Sequence, residues 1–265
     1  MVAAILLAGC GGSASKHGHA SAAQAPDRTP APPTDVASVA ARADVPVLCY
    51  HQIRPPTARD GAAARPYIVA PAALASQMDA LDRAGFHTVT GDALVAHVAR
   101  GAPLPPKPVL LTFDDASAGQ FSDALPILRR HHFVATFFVM TVVLDKPGWL
   151  TRRQVRALDR AGMTIGAHTW DHKAVPGYAD ADWPTEIDEP THALARLVGH
   201  PIRLFAYPFG LWDPAAIPHL WHAGLRAAFQ LGERLDRRHP LWNVRRIIVP
   251  GWSGPELLQA IRRSF

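Results

Sequence analysis

Val109-Leu110-Leu111-Thr112-Phe113-Asp114-Asp115 is the stretch on which the reading of this chain turns. An apolar run with a β-branched start, ending abruptly in two carboxylates, predicts a buried strand whose end opens on a polar site. Neighbouring residues of an extended backbone point to opposite sides. Asp114 and Asp115 can therefore share a site and serve different purposes, one holding a cation and one moving a proton. A strand-end Asp also caps helices, so the pair alone does not decide the chemistry.

A second stretch narrows it. His168-Thr169-Trp170-Asp171-His172 follows another strand-like run, Met163 to Ala167. Two imidazoles four residues apart can converge on one ion. With one carboxylate they complete the three-ligand set of a catalytic zinc-type site that keeps a position open for water. Around these two stretches, apolar runs and helical patterns alternate from Val45 onward. Strands are expected at Val45–Tyr50, Val109–Phe113, Ala135–Val139, Thr164–Ala167, Leu204–Tyr207, Ala227–Leu231 and Arg245–Val249. Helices are expected around Leu74, Met78 and Leu81, and over Phe121–Arg130, Thr151–Gly162, Pro184–Val198, Pro214–Ala223 and Pro255–Arg263. Repeated β-α units with short connections imply a parallel sheet. His51, Asp114, His168 and Phe209 each follow a different strand, as in parallel barrels, where the active site is built from strand carboxyl ends.

Thr112-Phe113-Asp114-Asp115, His168-Thr169-Trp170-Asp171-His172 and Phe205-Ala206-Tyr207-Pro208-Phe209-Gly210 resemble the first three motifs of the polysaccharide deacetylases, the NodB-homology or carbohydrate esterase 4 group. Within that group the chain is most similar to the branch that removes N-acetyl groups from poly-β-1,6-N-acetylglucosamine. The resemblance spans Val45 to Phe265. It implies an α/β fold, a distorted (β/α) barrel of about seven parallel strands with the site at their carboxyl ends. It also implies metal-dependent hydrolysis of an acetamide on a glucosamine polymer, with peptidoglycan, chitin or a small amide as the alternative substrates.

By motif matching, Asp115, His168 and His172 would hold one divalent ion, Zn2+ with Co2+ or Ni2+ as alternatives, and Asp114 would be the base. A neighbouring carboxylate is expected to raise the pKa of Asp114. The backbone N–H of Phe209 would meet the oxyanion. Two departures stand out. The Arg that opens the third motif in many members, and contacts the base, is replaced by Ala206. The late Leu-x-His motif that carries the acid is missing, since Arg237-Arg238-His239-Pro240 does not match it. His51, after the first strand, is the expected replacement acid. Trp170 and Trp212, in or beside the motifs, are candidates for stacking on sugar rings.

The remaining composition bounds the setting. Of 265 residues, 48% are hydrophobic, enough for one sizeable core. The formal charge of +5 is scattered, with no Lys/Arg block that argues for nucleic acid. There are two cysteines, Cys10 and Cys49. Cys49 lies in the first strand and reads as a buried thiol. Leu7-Ala8-Gly9-Cys10 closes an apolar run and resembles a bacterial lipobox, which implies lipidation of Cys10 and a membrane anchor. The expected organisation is a signal segment over 1–10, a disordered Ala/Ser/Pro tether over 11–44 and the deacetylase domain over 45–265. The expected location is the periplasmic face of the envelope, as an outer-membrane lipoprotein and a monomer.

Overall fold

The computed structural model describes residues 36–232 and 234–265. Cys10, the 1–10 segment and most of the expected tether lie outside these residues. The end of that tether is not a tether. Val36–Arg42 form a helix, α1, and Val39 and Ala43 are buried in a core cluster with Leu94 and Val98. Three small residues beside a valine give this short helix one apolar edge, and burial rather than propensity holds it.

The elements then run β1 (Val47–Tyr50), β2 (Gln52–Ile53), β3 (Ile68–Val69), α2 (Pro71–Arg83), β4 (His87–Thr88) and α3 (Gly91–Arg100). Next come β5 (Pro108–Phe113), α4 (Leu125–Arg130), β6 (Thr136–Val139), α5 (Arg152–Arg160) and β7 (Thr164–Ala167). The chain ends with α6 (Glu189–Val198), β8 (Leu204–Ala206), α7 (Ile217–His222), β9 (Ala227–Phe229), β10 (Ile247–Ile248) and α8 (Gly254–Ser264). Among the described residues no helix is long and apolar enough to cross a membrane.

Seven strands lie in the order β10-β1-β5-β6-β7-β8-β9, every pair parallel, and β4 adds to the start of β5. The sheet is curled into a half-barrel. The chain between β9 and β10 touches both edges, since Val244 bridges Phe229 while Ile247 and Ile248 pair with Leu48 and Cys49.

Strand parity sorts the apolar residues into two cores. Leu48, Tyr50, Leu111, Phe113, Phe137, Ile165 and Phe205 face outward, under the helices. Val47, Leu110, Phe138, Leu204, Phe229 and Val244 face inward, and α1 and α3 plug the amino end of the strands. The close fit of that plug is visible at Gly91, where a Cβ would lie 2.2 Å from Leu204 Cδ1. The same parity carries Cys49, His51, Thr112, Asp114 and His168 into the interior at the carboxyl end, where helices do not cover them.

Candidate active site

Asp114 is the first residue past β5 and is 1% exposed. Its backbone N–H still donates to Tyr50 O, 2.9 Å away, so the ladder with β1 fixes it in place. The next residue leaves the strand in left-handed backbone, with Asp115 at φ 75° and Ala116 at φ 72°. This turn returns Asp115 to the side of the sheet that Asp114 occupies. Adjacent carboxylates thus share a site through an unfavourable backbone conformation that the surrounding structure enforces.

His168 follows β7 in the same manner. Its Nδ1 lies 2.7 Å from Ala206 O, so that nitrogen donates and Nε2 is left with a free lone pair. His168 Nε2 sits 3.3 Å and His172 Nε2 3.5 Å from Asp115 Oδ1, and the two rings meet edge to face with centroids 4.8 Å apart. One ligand atom from each of Asp115, His168 and His172 falls within 4.8 Å of the others. Both His168 Nε2 and Asp115 Oδ1 are buried with no partner in hydrogen-bond geometry. Two orphaned buried acceptors converging with a second imidazole, that of His172, are what a divalent cation requires, so these residues fit the ion.

A second cluster of possible ligands, Cys49, His51 and Asp114, meets the same spacing. It does not suit a cation, because Arg246 already occupies Asp114. Arg246 Nη1 donates to Asp114 Oδ1 at 2.7 Å and Nη2 to Oδ2 at 2.8 Å, with both side chains at most 1% exposed. Thr112 Oγ1 and Gln230 O accept from the same guanidinium. Burial by itself would raise the Asp114 pKa, but Arg246, and then His168, outweigh it and hold the carboxyl well below the usual carboxylate range. The expectation of a raised Asp114 pKa is therefore corrected. The neighbour that matters is a cation. Arg246 thus makes the contact to this carboxylate that the family resemblance assigns to an Arg at the position of Ala206. A sequence signal existed. Val244, Arg246 and Ile248 alternate into the barrel, and a charge at an interior position demands a buried countercharge.

His51 follows β1 and is 8% exposed. Its ring meets Tyr67 edge-on with centroids 4.8 Å apart, and its Nδ1 lies 3.9 Å from Cys49 Sγ. Burial lowers its pKa, partly offset by Asp114 and Asp115. Its carbonyl accepts from Gln120 Nε2 at 2.9 Å, and the same amide donates to Asp114 O at 2.5 Å. Gln120 thus ties the ends of β1 and β5 together from a five-residue π-turn, Gln120–Ala124. Nothing in the sequence pattern singled it out.

Phe209 sits in a tight turn at φ 58° with its ring 61% exposed. The turn's own bonds run from Gly210 N to Tyr207 O and from Leu211 N to Pro208 O, which leaves the Phe209 N–H unused by them. Gly210 is required there, since it has φ 69° and a Cβ would lie 2.3 Å from Leu231 Cβ.

Asp114, Asp115, His51, His168, His172 and Phe209 all line one cavity of about 260 Å³, closed on its flanks by Tyr67 and Leu231. Trp170 stands 42% exposed on the loop between the two ligand histidines. Trp212 packs partly buried against the outer core, near His239, and does not line the cavity. His239 is engaged by Asp236 at 3.2 Å and lies outside the cavity as well.

A parallel half-barrel that gathers a His-His-Asp cluster, a guanidinium-held carboxylate and a backbone N–H around one cavity at its strand ends is an arrangement suited to hydrolysis. The comparisons give the family. The polysaccharide deacetylase profile matches residues 101–228, and the chain carries a polysaccharide deacetylase domain. That range contains the two Asp, the two His and Phe209, but neither His51 nor Arg246. YxkH of Bacillus subtilis, whose name places it provisionally among the polysaccharide deacetylases, is 24% identical over 218 residues, 80% of this chain and 74% of that protein. The poly-β-1,6-N-acetyl-D-glucosamine N-deacetylase of Staphylococcus epidermidis is 25% identical over 144 residues, 49% of this chain and 50% of that protein. The structure of the Streptococcus pyogenes deacetylase PplD in complex with acetate superposes with a TM-score of 0.74 at 23% identity, over 82% of this chain and 97% of that one.

Proposed function

We propose that this protein is a metal-dependent N-deacetylase of an N-acetylglucosamine polysaccharide, with poly-β-1,6-N-acetylglucosamine as the favoured substrate. The observation that carries the reading is the convergence of Asp115, His168 and His172 with Asp114, His51 and Phe209 on one cavity. Asp115, His168 and His172 would hold the ion, for which Zn2+ suits the donor set best. When bound, it supplies Lewis-acid polarisation of the acetyl carbonyl and a more acidic water.

The protein's own residues do the rest. Asp114 takes a proton from the attacking water as the C–O bond forms. The Phe209 N–H donates to the oxygen that gains negative charge. His51 gives a proton to the glucosamine nitrogen as the C–N bond breaks, because an amide anion is a very poor leaving group. Arg246 keeps Asp114 ionised and oriented in a buried setting. Acetate and a free amine leave.

A polymer rather than a small amide is favoured by the surroundings of the cavity. At Gln52 it adjoins a groove of about 420 Å³ that runs past Arg54, Asp123 and Trp149. This is room for a neighbouring sugar, with an aromatic wall and polar edges. Similarity to the staphylococcal enzyme supports the β-1,6 polymer, and peptidoglycan or chitin is the second reading. We further propose a lipid anchor at Cys10, which would place the monomeric domain at the periplasmic face of the outer membrane. The deciding experiment is acetate release from defined β-1,6 and β-1,4 N-acetylglucosamine oligomers of one to six units. Turnover that rises with length and prefers β-1,6 is expected. Preference for β-1,4 would select the second reading, and equal rates on monomer and hexamer would overturn the polymer reading.

A further inference from the structure

The loop that carries both histidine ligands is poorly suited to hold itself. Thr169 lies at φ 62° and His172 at φ 73°, and residues with a Cβ disfavour both conformations. Part of the support is local, because His172 N donates to Thr169 Oγ1 at 2.9 Å. Part comes from the turn after β6, where Val142 N donates to Trp170 O at 3.0 Å. The same stretch adds Thr141 N to Thr169 O at 3.4 Å, and His168 is tied to Val139 O and Ala206 O. Further support comes from one buried carboxylate. Glu186 is 4% exposed, and its Oε2 accepts from the backbone N–H of Trp170 at 3.2 Å and of Asp171 at 3.3 Å.

Glu186 reaches this position from a five-residue π-turn, Pro184–Asp188, at the start of α6. The only other π-turn among the described residues is the one that presents Gln120 to His51 O and Asp114 O. Each π-turn therefore aims one buried polar side chain at the backbone of the site. Inserted turns of this kind are often found at functional positions, where they re-aim a side chain.

We propose that Glu186 is the positioning residue of the metal-binding loop. Its carboxylate satisfies two amides that would otherwise face a partly buried space without an acceptor, and so keeps residues 168–172 in the one conformation that turns both imidazoles toward Asp115. Glu186 touches neither the ion nor the substrate. Its effect is on the geometry offered to them.

The test uses the full chain and Zn2+ alone, measured by competition with a chelator, together with hydrogen exchange at the Trp170 and Asp171 amides in the metal-free protein. Glu186→Ala is expected to weaken Zn2+ binding about 10–100-fold, the range for removing an outer partner of a metal site. It should also accelerate exchange at those two amides while β5 amides keep their protection. Glu186→Gln retains an acceptor of the same reach and should stay within about threefold of the wild type. Glu186→Asp keeps the charge but is one methylene shorter, and should behave like the Ala variant. It also serves as the informative substitution should the Ala variant fail to fold.

The inference rests on the ligand set proposed above, so His172→Ala is measured alongside. Unchanged Zn2+ affinity in Glu186→Ala beside a loss in His172→Ala would overturn the role of Glu186 alone. Retained affinity in His172→Ala would instead remove the ligand set. A Gln variant as weak as Ala would show that negative charge acts at a distance, and would refute positioning through the two amides.

Discussion

Replacing Arg246 by methionine removes the partner of a fully buried carboxylate and leaves a side chain of similar length. The guanidinium makes two bonds to Asp114, at 2.7 and 2.8 Å, where both groups are essentially solvent-free. Breaking such a pair by deleting one member typically destabilises by about 3–5 kcal/mol, because the remaining charge has no water and no counterion. For a domain of this size that corresponds to a fall in Tm of about 6–20 °C. Asp114→Asn in the same chain discharges the orphan, so the double variant should recover most of the loss.

The pH dependence has a definite sign. In the wild type Asp114 lies below its unfolded value, so its contribution is present above that value and is lost as pH falls through the folded pKa. In Arg246→Met burial raises Asp114 above the unfolded value of about 3.9. The native variant then binds more protons than the unfolded chain, and its stability falls as pH rises through that window. The gap between the two proteins should therefore be wide at pH 8 and narrower at pH 5, read by urea unfolding of chelator-treated samples. A deficit under about 1 kcal/mol, far below the usual range for a broken buried pair, would refute the reasoning. So would a gap independent of pH, or a double variant no more stable than the single one.

Three further outcomes follow from the same geometry. His172→Ala should lose most bound Zn2+ after mild chelation, since one of three ligands is gone; equal metal content by elemental analysis would remove His172 from the set. His51→Ala should lose about 10²–10⁴ in kcat on an N-acetyl sugar but far less on an activated acetyl ester, whose leaving group needs no proton, with metal content unchanged; equal losses on both substrates would make His51 a positioning residue. Cys10→Ala should move the protein from the membrane fraction to the soluble one, and identical fractionation of both forms would remove the anchor.

The periodicity of this chain was enough to determine the β-α alternation, and the strand ends enough to nominate the site. β7 falls at Thr164–Ala167 as expected, and α5 starts at Thr151 as expected, with Thr151 serving as its cap, because a buried strand and an amphipathic helix are each written in local residues. Asp114, Asp115, His168 and His172 were legible for a related reason. Chemistry at a parallel strand's end needs its residue types at fixed offsets from an apolar run.

Short elements were not legible. β2 and β3 are two residues each, and α1 offers too little pattern to separate it from a linker. α3 carries its signals, a Thr90 cap and Gly101 at φ 69°, but they are ordinary enough to pass as a loop. Nor could the sequence predict that Asp114 is held low rather than raised. That depends on Arg246, 132 residues away, entering the barrel beside it. A pKa is set by what lies within a few ångströms in space, and closing the sheet between β9 and β1 decides that. The same holds for Glu186 and Gln120. Their side chains act on backbone amides and carbonyls, which every residue carries, so no pairing of residue types betrays them before the chain has folded.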